Sequence, residues 1–234
     1  MRPRPALPLP TVRPRLASLL LAPLAALLLA ACGGSSSSSS AASSQPAASA
    51  TTTAAATGTG GLSYEAVPLE VGPSLGSAST TQTGKVDGVT CGPTEQLAYH
   101  IHTHLAVFDK GRLYSLPAGI GIPGSTTQQT SQGPVAAGGQ CIYWLHTHTS
   151  DGIIHIESPT QRVYTLGNFF DEWHQPLSAD QIANVRGHLS VYVNGKPWRR
   201  SLRDIPLLPH GLIQVDVGEP TPPLVSVNWS QTGL

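Results

Sequence analysis

Two segments of this 234-residue chain alternate strictly between polar and apolar residues. The first contains His-Ile-His-Thr-His at residues 100–104 and belongs to a longer predicted strand at 97–108. The second contains Leu-His-Thr-His at 145–148 and continues, after a short gap, as Ile-Ile-His-Ile-Glu at 153–157. A period of two predicts β-strands whose two faces meet different surroundings. One face of each predicted strand therefore carries imidazoles, and the other carries aliphatic side chains.

The two halves of the second segment are joined by Asp151-Gly152, which predicts a two-residue hairpin turn. A type I′ turn needs positive φ at both central positions, and these residue types tolerate it. Folding the chain there pairs His148 with His155 and His146 with Glu157, with Cβ atoms roughly 5 Å apart.

The period changes at residues 165–174. Leu166, Phe169, Phe170 and Trp173 follow the i, i+3, i+4, i+7 pattern of an amphipathic helix that Thr165 caps. Further strands are predicted at 64–71, 112–116, 189–193, 212–217 and 224–229. The stretch 119–140 has no periodicity and predicts a mobile or functional loop. The fold class expected is mainly β (α+β), as an antiparallel hairpin-linked sheet or a small barrel or sandwich with one or two short helices.

The first 31 residues differ from the rest in charge. They contain four arginines and no acid, followed by a short apolar run that ends at Ala30-Ala31-Cys32. This pattern is typical of an export signal, and the junction resembles the lipobox of bacterial lipoproteins. The resemblance implies lipidation at Cys32, a membrane partner through the lipid anchor, and a place in the cell envelope facing the periplasm or the exterior.

The expected domains are a signal peptide at 1–31, a disordered tether at 32–61 and one globular domain at 62–234. The tether consists mostly of Ser, Ala, Thr and Gly and has little to bury. Without the signal peptide, four of the 13 basic residues are lost while all 13 acidic residues remain. The resulting charge of about −4 and the lack of a basic patch argue against a nucleic-acid partner.

Two further cysteines, Cys91 and Cys141, remain after Cys32. In an oxidising compartment such a pair is expected to form a disulfide. The bond would tie the segment before the first His strand to the segment before the second.

The histidines point to a metal site. His146, His148 and His155 offer nitrogen donors and Glu157 offers an oxygen donor, a mixture that suits Zn or Cu better than Ca or Mg. The upstream His100, His102 and His104 are expected to complete or replace that shell. The alternative is that these histidines are polar strand residues that bind no metal.

Several site classes are excluded. Met1 is the only methionine and the mature cysteines are expected to be oxidised, so a blue-copper centre lacks its sulfur ligands. A His-Glu-x-x-His motif is also absent from the sequence.

Four motifs resemble those of a recurring group of exported bacterial and archaeal proteins. They are His-Ile-His-Thr-His-Leu, Leu-His-Thr-His, Gly-Ile-Ile-His-Ile-Glu-Ser-Pro and Leu-Gly-Asn-Phe-Phe-Asp-Glu-Trp. The resemblance covers residues 99–218 and implies a shared domain without an established activity. A looser likeness links the His-x-His pairs to cupins, although here Glu157 follows the third histidine.

Three functions remain open. The first is a lipid-anchored protein that binds Zn or Cu for non-catalytic capture or buffering. The second is a cupin-like or hydrolytic metalloenzyme that uses the same residues. The third is a surface interaction domain without a metal.

Overall fold

The computed structural model describes residues 60–234 of the chain. The strands are β1 (Cys91–Gly92), β2 (Tyr99–Asp109), β3 (Arg112–Tyr114), β4 (Thr127–Thr130), β5 (Gly133–Ala136), β6 (Ile142–Tyr143), β7 (Leu145–His146), β8 (Ile153–Ser158), β9 (Gln181–Ile182), β10 (Val185–Arg186), β11 (Leu189–Val193), β12 (Lys196–Pro197) and β13 (Gly211–Val217). Helix α1 spans Leu166–Trp173, and short 3-10 turns lie at Ala78–Thr80, Leu202–Asp204 and Trp229–Gln231.

Seven strands form the central sheet, in the order β12-β11-β13-β2-β8-β7, with β3 also paired to β2. All of its pairings are antiparallel except β13 with β2, which is parallel. Three two-stranded sheets, β1–β6, β4–β5 and β9–β10, lie outside it. The mainly β prediction is confirmed, and within residues 60–234 the strands do not close into a barrel.

The predicted helix is confirmed together with its cap. The Thr165 side chain accepts a hydrogen bond from the Asn168 backbone, and the Asn168 side chain accepts one from the Thr165 backbone. This reciprocal capping box satisfies two amides that the first helical turn leaves free. The expected apolar face, Leu166, Phe169, Phe170 and Trp173, is completely buried.

The disulfide is also confirmed. Cys91 and Cys141 are bonded, and their Cα atoms lie 5.5 Å apart. The bond joins the short strand β1 to the residue just before β6, and β1 and β6 pair with each other. It therefore holds the approaches to the two His strands together.

Three local predictions were wrong. Residues 64–71 and 224–229 form no extended strand; the first stretch makes only an isolated bridge through Pro68. The stretch 119–140 contains a regular hairpin, β4–β5, rather than a structureless loop. Its outer strand is exposed on all four residues, so no apolar alternation marks it.

The predicted signal peptide, Cys32 and almost all of the predicted tether lie outside the described residues. Within residues 60–234, the structure contains no helix with the length and apolar character needed to cross a membrane.

Candidate metal centre

Three neighbouring strands bring the histidines to one face of the central sheet. Strand β2 pairs with β8 so that His100 lies opposite Glu157 and His102 lies opposite His155. Strand β7 pairs with the other edge of β8 and places His146 opposite His155. Because alternate residues of a strand share a face, these side chains lie next to one another. The two His strands, which were expected to lie close together in one sheet or on facing sheets, belong to one sheet.

The predicted hairpin register was wrong by two residues. His155 faces His146 rather than His148, because the chain leaves the sheet after His146. The carbonyl of His148 instead accepts a hydrogen bond of 2.8 Å from the backbone of Ala136, the last residue of β5. A slip of two residues keeps every side chain on its original face. The imidazoles therefore converge despite the changed register.

His146 and His148 form a buried pair with fixed ring orientations. Nδ1 of His146 lies 2.8 Å from the Tyr143 carbonyl oxygen, and Nδ1 of His148 lies 2.8 Å from the Ala136 carbonyl oxygen. A carbonyl can only accept, so each Nδ1 carries a proton and each Nε2 remains for another partner. The two Nε2 atoms are 3.1 Å apart. Both ring nitrogens are thus directed into one small space.

A second pair lies on β2. The Nε2 atoms of His100 and His102 are 3.0 Å apart, and His100 Nε2 is also 3.0 Å from Glu157 Oε1. The His100 side chain is 40% exposed, whereas that of Glu157 is buried. This pair therefore borders solvent, while its carboxylate partner does not.

His155 lies between the two pairs. Its Nε2 is 2.9 Å from Glu65 Oε1 and its Nδ1 is 3.4 Å from Glu157 Oε1. Neither carboxylate is in line with a ring N–H, so within residues 60–234 neither nitrogen has a well-directed hydrogen bond. Buried polar groups are rarely left in this condition. The second oxygens of Glu65 and Glu157 are unpaired in the same way.

The cluster divides its histidines by charge. Burial, followed by repulsion from His155 and His148, lowers the pKa of His146 well below its usual range. Burial and repulsion from His155 and His100 lower the pKa of His102 to about 3. Burial also acts to lower the pKa of His155, but the close, charged carboxylates of Glu157 and Glu65 outweigh it and raise that pKa to about 9. His102 and His146 are therefore neutral at physiological pH, as ligands must be.

Two acidic residues of the cluster were missed by the sequence analysis. Glu65 Oε1 contacts His155, and Glu95 Oε1 lies 3.2 Å from His148 Nε2. Both come from irregular segments, where no periodicity shows which way a side chain points. The disulfide offered a signal for Glu95, since Cys91 lies four residues before it and holds that segment beside the second His strand. No local signal marks Glu65.

His104 does not join the cluster, although it follows His102 on the same face of β2. It lines a separate small cavity of about 70 Å³ together with Glu70, Val67 and Val225. Burial lowers the pKa of His104 to about 4, and its Nδ1 has no hydrogen-bond partner in the described part of the chain. Its predicted role as a ligand in the shared cluster is not supported by this position.

Three overlapping donor groups result within residues 60–234. They are His100, His102, His155 and Glu157; His146, His148 and His155; and Glu95, His146 and Glu157, with the donor atoms of each group within 4.8 Å of one another. Imidazole nitrogens with carboxylate oxygens are a donor set for Zn(II) or Cu(II). A pocket of about 310 Å³, lined in part by His100, His148 and Glu95, opens beside the donors.

Comparison with protein-family models, curated proteins and solved structures found no match to this chain.

Proposed function

We propose that this chain is an exported, lipid-anchored protein that binds a transition-metal ion, Zn(II) or Cu(II), for capture or buffering in the cell envelope. The ion is held by His146 and His148. His155, which releases its ring proton when the ion binds, and Glu157 fill the remaining positions, with Glu157 acting as a ligand or as the group that orients one. Cys32 supplies the membrane anchor.

The observation that carries the proposal is the His146–His148 pair. Both Nδ1 atoms donate to backbone carbonyls, so both Nε2 atoms point into one space and lie 3.1 Å apart. Nitrogens bound at about 2.0–2.1 Å to one ion are separated by about 2.9 Å at a right angle and about 3.4 Å at the tetrahedral angle. The pair has the spacing of two ligands of a single cation.

This set of ligands suits capture of a metal ion better than catalysis. Three imidazoles and one carboxylate complete a four-coordinate shell, as in zinc sites that hold their ion without reacting. Metalloenzyme chemistry is the second candidate, and the pocket of about 310 Å³ beside the donors supports it by leaving room for a small molecule.

The test measures the affinity of the full chain, purified without a His tag, for its first Zn(II) ion by competition with a chelator. His146→Ala with His148→Ala should weaken that affinity by at least about 100-fold, since two direct ligands are lost. The matched control changes two histidines outside the cluster, His174→Asn with His188→Ala, and should leave the affinity unchanged. Asparagine is chosen at position 174 because that residue has φ 57°. Equal Zn(II) affinity in the cluster variant and the parent would refute the proposal.

A further inference from the structure

The His100–His102 pair repeats the geometry of the His146–His148 pair. The Nε2 atoms are 3.0 Å apart in the first pair and 3.1 Å apart in the second. The rings meet edge to face in both, with centroids 4.5 Å and 4.7 Å apart. One cation accounts for only one of these two close contacts between ring nitrogens.

We infer that a second transition-metal ion binds at His100 and His102, and that Glu157 bridges it to the ion at His146 and His148. This inference rests on the proposed function, because it assigns the second ion to the same polar face.

Glu157 is placed to serve both pairs. Its Oε1 lies 3.0 Å from His100 Nε2, and its Oε2 lies 3.9 Å from His146 Nε2. The side chain is 4% exposed, and Oε2 has no hydrogen-bond partner within residues 60–234. A buried carboxylate with one oxygen directed to each histidine pair matches a bridging ligand. Ions sharing such a bridge in two-metal sites are about 3.5–4 Å apart.

Each ion can reach four donors without sharing a histidine. His155 groups with His100, His102 and Glu157, and its Nδ1 lies 3.4 Å from Glu157 Oε1. Glu95 groups with His146 and Glu157, and its Oε1 lies 3.2 Å from His148 Nε2. When both ions are bound, His155 therefore serves the second ion and Glu95 takes its place at the first.

Charge and exposure set the order of binding. Glu65, Glu95 and Glu157 bring three carboxylates to one pocket, more negative charge than a single divalent ion neutralises. His146 is fully buried, whereas the His100 side chain is 40% exposed. The first ion therefore fills the buried pair and binds tightly. The second fills the pair that borders solvent and binds more weakly, by about 100-fold or more.

The stoichiometry test titrates the full, untagged chain with Zn(II) and measures bound zinc per chain at saturation. The parent should bind two ions. His100→Ala with His102→Ala should bind one, with the tight affinity kept, whereas His146→Ala with His148→Ala should bind one with only the weak affinity. His104→Gln is the matched control from the same strand and should still bind two.

The bridge is tested separately with Cu(II) and electron paramagnetic resonance. The first equivalent should give the signal of an isolated Cu(II) ion. The second should fail to double that signal and should add a half-field transition, because two ions joined by one carboxylate couple magnetically. Glu157→Gln should abolish the coupling, and Glu95→Gln should weaken the first ion only when the second is present.

The outcomes separate the two proposals. A parent that binds one ion, with an affinity indifferent to His100→Ala and His102→Ala, overturns the second site and leaves the proposed function standing. A parent that binds two ions without magnetic coupling overturns the bridge. A parent that binds no ion refutes both.

Discussion

The two faces of the central sheet differ in how completely their buried groups are satisfied. On one face Leu105, Ile154 and Ile156 share a hydrophobic cluster with the aromatic residues of α1. On the other face the buried nitrogens of His155 and an oxygen of Glu157 have no hydrogen-bond partner in residues 60–234. The first face gains free energy from apolar burial. On the second face, burial of these polar groups costs free energy unless a bound ligand pairs with them. The contrast indicates that stability and binding are divided between the faces and can be changed one at a time.

The largest effect should come from the helix face. Phe170→Ala removes a fully buried ring that packs against Phe169 and Trp173, and should lower the free energy of unfolding by about 3–5 kcal/mol. Denaturant titration measures the loss, and Val163→Ala, at a side chain that is 69% exposed, is the control with little change. If the division between the faces is real, the folded variant keeps the parent's zinc stoichiometry. A loss of bound zinc in the folded variant would show that stability and metal binding are not divided between the two faces.

Metal removal tests the polar face. Free Zn(II) at about 100 times its dissociation constant should stabilise the parent by about 2.7 kcal/mol, because the ion binds the folded chain alone. Chelation should reverse this gain. In His146→Ala with His148→Ala, the zinc-dependent part should shrink or vanish, and stability in chelator should fall by about 1–3 kcal/mol for each buried carbonyl left without its donor. Thermal unfolding with and without chelator measures both quantities, and a parent indifferent to zinc would contradict the prediction.

Glu172 sharpens the comparison because it is a buried polar residue of α1. Both of its carboxylate oxygens lack hydrogen-bond partners in the described part of the chain, and burial raises its pKa well above the usual range. Above about pH 4.5 the unfolded chain ionises this group while the folded chain resists ionisation. Stability should therefore fall as pH rises, by at most about 1.4 kcal/mol per pH unit from this residue.

Glu172→Gln should remove that contribution. The measurement is the difference in unfolding free energy between variant and parent from pH 5 to pH 8, in chelator. Glu70, whose pKa burial raises to about 8, remains in both proteins and cancels in the difference. A difference that does not change with pH would show that Glu172 is ionised, or otherwise satisfied, in the folded protein.

The smallest effect concerns two histidines of one strand. His104→Leu should change zinc affinity less than about twofold, whereas His102→Leu should weaken the second ion by at least about tenfold. The two positions lie two residues apart on the same face of β2. A difference in zinc affinity between the two variants therefore reports the surroundings of each side chain and not the alternation of the strand. Equal losses of zinc affinity would mean that the cluster extends to His104.

The sequence predicted what depends on local pattern. The capped helix follows from Thr165 and four apolar positions, and Asn194-Gly195, a residue pair that favours tight hairpins, forms the turn from β11 to β12. The convergence of the histidines also followed, since alternation decides the face of a strand. Alternation does not decide register in steps of two, so the pairing of His146 with His155 was out of reach. The contributions of Glu65 and Glu95 depend on irregular backbone, for which the chain carries no periodic signal.

The parallel pairing of β13 with β2 could not be read from the sequence either, and it affects how the binding site is assembled. Thr103 on β2 hydrogen-bonds to Leu208, 105 residues further along the chain, just before β13 begins. Contacts between residues so distant in sequence close late, because the entropy of a long loop must be lost before they form. Strands β8 and β3 pair along one edge of β2, and its other edge is paired only when the last strand docks. The donors on β2 therefore reach their final positions at the end of folding, and a chain that has not finished folding offers a metal ion separate histidines rather than a centre.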